Sequence, residues 1–116
     1  GSEMCIRDRD RTYGGVMLKI VQGDVFELHI DIRNVPLFLI KRVVFSSKDL
    51  GVEIPASFYD GRYDVRIEGE RTSKFEPGFV RYDITMFLTD GEKLTIVQNE
   101  KIEVLKKVNE VKNGAL

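Results

Sequence analysis

Between Pro77-Gly78 and Asp90-Gly91, apolar side chains fall on alternate positions: Val80, Tyr82, Ile84, Met86 and Leu88. Arg81, Asp83, Thr85 and Thr89 lie between and after them. A period of two sustained this long describes a strand with one buried and one wet face. The turn dipeptide before it follows from the fixed φ of proline and the left-handed φ open to glycine. A sheet that buries one face needs a second apolar layer to bury it against.

The same alternation recurs along the chain. Met17–Gln22 reads as a short strand closed by Gly23-Asp24. Val25–Arg33 then sets Phe26, Leu28, Ile30 and Ile32 inward against Glu27, His29, Asp31 and Arg33. Asn34-Val35-Pro36 breaks it, because proline donates nothing to a ladder. Leu37–Lys48 carries apolar residues on both parities, Leu39, Val43 and Phe45 against Ile40 and Val44, the pattern of a central strand covered on both sides. Glu100–Val104 resumes inward with Ile102 and Val104. Leu105, Val108 and Val111 then recur at helical spacing, as a short C-terminal helix or a frayed tail.

Two Asp-Gly pairs predict hairpins. Asp60-Gly61 suits a type I′ turn between Val52–Tyr59 and Arg62–Glu68. It sets Phe58 opposite Tyr63, Ala56 opposite Val65 and Ile54 opposite Ile67, while Pro55 implies an edge role. At Asp90-Gly91 a two-residue loop would turn Leu94 and Ile96 outward. A three-residue turn, Thr89-Asp90-Gly91, with Gly91 left-handed and a bulge beside it, puts Met86 opposite Leu94 and Ile84 opposite Ile96. Seven or eight short strands with regular turn signals predict an all-β chain folded as an antiparallel β-sandwich.

Gly1–Val16 is polar, charge-rich and without period. Gly1 looks like the scar of a cleaved tag, and Ser2–Arg9 resembles translated adapter sequence of metagenomic assemblies. Residues 1–16 are therefore set apart as a non-native leader, 17–108 as the sandwich domain and 109–116 as a tail. With 18 Lys+Arg against 19 Asp+Glu, the net charge of −1 gives no electrostatic footprint for nucleic acid. The longest apolar run, Val35–Ile40, is far short of a membrane span, and no signal-peptide pattern opens the chain. A single cysteine excludes an intrachain disulfide.

No residue pattern carries catalytic chemistry. His29, the only histidine, lies on the wet parity beside Glu27 and Asp31, with no converging ligand set or nucleophile in the pattern. The paired acids sit in turns and at strand ends, where aspartate bonds the backbone. No catalytic residue, cofactor or metal ligand is therefore expected. The outward aromatics stand out instead. Phe79 and Phe87 share the wet parity of the longest strand, and Leu37 and Phe38 extend the candidate into an interface patch.

Several stretches carry a resemblance in their order. They are Ile20-Val21-Gln22-Gly23-Asp24-Val25-Phe26, then Gly61–Ile67, Thr72, Phe75-Glu76-Pro77-Gly78, Tyr82-Asp83-Ile84 and Asp90–Ile96. Together they resemble the N-terminal domain of phage baseplate upper proteins, over Met17 to about Val108. Asn99 stands where that family has a common glycine. The resemblance implies an immunoglobulin-like sandwich that docks into a phage or prophage tail, with tail or baseplate proteins and further copies of itself as partners. It also implies a virion location after assembly in the host cytoplasm, no enzymatic activity, and no nucleic-acid or membrane partner. A weaker similarity to fibronectin type III domains rests on Phe75-Glu76-Pro77-Gly78. The alternative function is an immunoglobulin-like carbohydrate-binding or adhesion module.

Overall fold

A computed structural model of the chain describes residues 3–7 (backbone only), 18–33 and 35–107. Among the described residues nine strands run in order: β1 Glu3–Arg7, β2 Leu18–Val21, β3 Phe26–Arg33, β4 Ile40–Ser47, β5 Val52–Pro55, β6 Ser57–Tyr59, β7 Arg62–Ile67, β8 Gly78–Leu88 and β9 Lys93–Leu105. They form a four-stranded sheet, β1-β3-β7-β6, and a five-stranded sheet, β2-β9-β8-β4-β5. The chain is an all-β sandwich. Its strand order is that of the immunoglobulin fold, with the first strand divided between the sheets.

The core is the inward parity of both sheets. Leu28, Ile30, Val43, Phe45, Val65, Ile84, Met86 and Ile102 lose all their exposure, and Tyr82 and Val80 join them. The Phe45 and Tyr82 rings stack with centroids 5.3 Å apart, and Phe26 tilts onto Phe45 at 6.3 Å. The alternation in β3 and β8 thus ends as the two facing walls of one core. Leu88, at the rim, packs against it while only partly buried.

Both Asp-Gly turns form. Asp60 and Gly61 have φ of 53° and 81°, the pair of left-handed residues a type I′ turn requires, and Phe58 lies opposite Tyr63. At the other hairpin the Leu88 N–H donates to Glu92 at 2.9 Å, the Gly91 N–H donates to Leu88 at 3.1 Å, and Gly91 has φ 95°. Thr89-Asp90-Gly91 is therefore a three-residue turn, and Met86 stands opposite Leu94. Ile84 lies opposite Val97, not Ile96, because the β8–β9 ladder shifts register on either side of Ile84. At the shift between Tyr82 and Ile84, Asn99 takes φ 55°. Its N–H donates to Asp83 Oδ1 at 2.6 Å, and Arg81 Nη1 donates to its carbonyl oxygen at 2.9 Å.

Three expectations are corrected. Val52–Tyr59 is not one strand: β5 pairs with β4 in one sheet, and after Ala56 the chain crosses to pair β6 with β7 in the other. Ile54 therefore faces Phe45, not Ile67. Leu37–Leu39 is a single 3-10 turn, and strand β4 begins only at Ile40. A shift between Ile40 and Arg42 moves Ile40 onto the core parity, whereas Val44, on the other parity, is buried outside the core cluster, so the strand is covered on both faces there. The β2–β9 pairing is parallel in an otherwise antiparallel structure. Residues 3–7, within the segment set apart as a leader, pair with β3 as an edge strand, Glu3 opposite Arg33 through Arg7 opposite His29. Val108, Val111 and the expected C-terminal helix or tail lie outside the described residues.

Candidate interaction surface

The outer face of the four-stranded sheet is a ladder of charges. His29 Nδ1 and Asp64 Oδ1 are 2.6 Å apart, and Arg62 Nε is 3.3 Å from the same carboxylate. Arg66 donates to Glu27 at 2.6 Å and to Glu68 at 2.8 Å, and Arg33 lies 3.4 Å from Asp31. The Glu68 hydrogen bond and charge, followed by the hydrogen bond to Glu27, hold the Arg66 guanidinium above its ordinary pKa. Such exposed pairs are screened by solvent and add little to stability. Their effect is to make the face polar and self-neutralised. His29 is one member of this ladder. Among the described residues, no group of three or more His, Cys, Asp or Glu side chains is placed to hold a metal ion.

The five-stranded sheet presents the aromatics singled out in the sequence, but at two separate places. Phe87 is half-buried, with the Arg42 guanidinium 4.4 Å from its ring centroid. Leu37 and Phe38 stand beside that end of β8, because the Thr89 N–H donates to the Leu39 carbonyl and Ile40 pairs with Leu88. Phe38 is 80% exposed and Leu37 41%. Phe79 lies eight residues back along the strand from Phe87, roughly 26 Å at the usual rise. It is 60% exposed, with Lys101 Nζ 5.3 Å from its centroid. The candidate patch therefore divides into Leu37, Phe38 and Phe87 at one end and Phe79 at the other.

Sequence reasoning missed Tyr59 and misplaced Phe58, which it set facing the core. Phe58 packs on Tyr63 at 4.9 Å, yet β6 is the outermost strand of its sheet and covers no further neighbour. Both side chains stay more than half exposed. The three residues between Ala56 and the turn were the available signal, since so short an edge strand cannot be closed over.

At the opposite end of the sandwich, residues from distant parts of the chain meet. The turn Gln22-Gly23-Asp24 joins β2 to β3, and Gly69–Thr72 forms one helical turn between β7 and β8. Thr72 is fully buried. Its hydroxyl accepts the Gly23 N–H at 3.0 Å and donates to the Asp24 carbonyl oxygen at 2.8 Å. Gln22 Nε2 donates to the Phe75 carbonyl at 2.8 Å, and Phe75 is itself in the core. The Lys107 N–H donates to Gln22 Oε1 at 3.3 Å, and its ammonium sits 2.8 Å from Asp24. Comparison with family models, curated proteins and solved structures finds no match to this chain.

Proposed function

We propose that this chain is a structural component of a phage or prophage tail or baseplate and acts by protein–protein assembly. The observation that carries the reading is the meeting of Gln22-Gly23-Asp24 with Thr72 and Phe75. These stretches carry the baseplate resemblance, and they lie about fifty residues apart in sequence. In the fold they are one hydrogen-bonded unit, in which a buried hydroxyl and an amide tie two loops together.

The exposed Phe38, Leu37 and Phe79 supply apolar contact area on a chain whose other wide face is self-neutralised. Partners on this reading are neighbouring tail proteins and further copies of the chain, in the virion after assembly in the host cytoplasm. A sugar platform fits the arrangement less well, since Phe79 and Phe87 stand too far apart to stack on one ring. Sedimentation velocity of the chain mixed with the products of adjoining open reading frames tests the proposal. Co-sedimentation with at least one of them is expected. A chain that sediments alone in every mixture contradicts it.

A further inference from the structure

Among the described residues the sheets end in β5, β6, β2 and β1, the last lying along β3, and these edges are guarded unequally. β5 carries Pro55, β6 has three residues and β2 has four. Proline and shortness are the usual protections of an edge. β3 differs: it runs eight residues with no proline, glycine or bulge, and pairs with β7 in unbroken register. In this structure β1 seats on its outer edge over five residues, His29 to Arg33. The β3 edge therefore offers a regular row of backbone donors and acceptors to another strand.

We infer that the β3 edge, when β1 leaves it, pairs with the β3 edge of a second copy of this chain about a two-fold axis through Ile30. The polar residues on β3 alternate between acid and base: Glu27, His29, Asp31, Arg33. In an antiparallel pair centred on Ile30, Glu27 stands opposite Arg33 and His29 opposite Asp31. Leu28 stands opposite Ile32 on the core side. A slip of two residues one way sets Glu27 against Asp31, and the other way sets Asp31 against itself. Like charges directly opposite are destabilising, and a slip of one residue turns apolar side chains to water. Among registers within two residues of it, only the centred one satisfies both faces. The contact is isologous and closes as a dimer. It gives a continuous six-stranded sheet, β6-β7-β3 followed by the same three strands of the second copy. This inference deepens the assembly reading by naming one partner and its surface.

Release of β1 is the variable to control, since a tethered strand outcompetes a free copy by its effective concentration. In an antiparallel ladder alternate residues donate toward the partner, so proline at two adjacent positions removes at least one such donor. Sedimentation equilibrium of the full chain is compared with Met4→Pro/Cys5→Pro. The variant is expected to dimerise with an association constant raised at least about tenfold. Adding Arg33→Glu returns it to monomer, and adding Glu27→Arg as well restores the dimer. A second release, Met4→Asp/Ile6→Asp, sets carboxylates opposite Ile32 and Ile30 and gives the same readout without proline. Released variants that are folded by circular dichroism yet monomeric overturn the inference. So does a dimer indifferent to Arg33→Glu, or association that grows beyond the dimer. None of these results alters co-sedimentation with other tail proteins, so the two readings fail separately.

Discussion

The Thr72 hydroxyl donates to the Asp24 carbonyl oxygen at 2.8 Å across forty-eight residues of sequence, and so bolts the turn before β8 to the turn that opens β3. Both its hydrogen-bonding roles are used, because the same oxygen accepts from Gly23. Thr72→Val keeps the shape and strands a buried donor and acceptor. Urea unfolding should show a loss of about 1–3 kcal/mol, with Thr72→Ser losing clearly less. Equal losses would mean the methyl group, not the hydroxyl, holds the loops.

Gly69 closes the same contact by its bareness. A Cβ there would stand 2.4 Å from the Gly23 carbonyl oxygen and 3.1 Å from its carbon, while Gly69 itself lies outside the left-handed region. Gly69→Ala should therefore cost about 1–3 kcal/mol by overpacking. Gly51, with φ of 69° and open space around it, is the contrast. There a substitution is penalised by backbone conformation alone, and Gly51→Asn, which tolerates that region, should recover most of the loss seen in Gly51→Ala. If Gly69→Ala proves as stable as the parent, the loop contact is looser than 2.4 Å implies.

The two faces of β8 give a third comparison. Tyr82 is buried and stacked on Phe45, whereas Arg81 is exposed and bonds Asn99. Tyr82→Ala should cost about 3–5 kcal/mol and Arg81→Ala under about 1, by chemical denaturation. Similar costs would mean the faces are reversed.

Alkaline pH provides a fourth. Burial raises the Tyr63 phenol above its ordinary pKa, because the charged form is poorly solvated there. Above about pH 10 the unfolded chain gives up this proton while the folded chain keeps it. The folded state then binds more protons, so stability falls as pH rises through that window. Tyr63→Phe should flatten this part of the stability curve. An unchanged alkaline slope in Tyr63→Phe would assign the loss to other groups.

Alternation made the core legible, because burial is a property of single residues and their parity. Phe26, Leu28 and Ile30 in β3, and Val80 to Met86 in β8, needed nothing more. The Thr89-Asp90-Gly91 turn was legible for the same reason, since only an odd loop keeps Leu94 on the side of Met86. What parity cannot report is which sheet a strand joins. Val52, Ile54 and Phe58 share one parity, and the two sheets face one core, so the crossing at Ala56 leaves the pattern intact. Nor does parity report direction, hence the unforeseen parallel β2–β9 pair. The candidate surface was legible as to face, but not as to distance along β8. The Thr72 unit was visible only as letters of a resemblance, because its contacts span about fifty residues.

That the sandwich works by being docked against neighbours is tested most directly on purified particles. Virions are prepared from the host that carries this gene, tails are separated from heads, and the tail fraction is analysed by mass spectrometry and immunogold labelling. The account predicts stoichiometric recovery of the chain with tails and gold at the baseplate end. Recovery of the chain only in the soluble host fraction, with unlabelled tails, would contradict it.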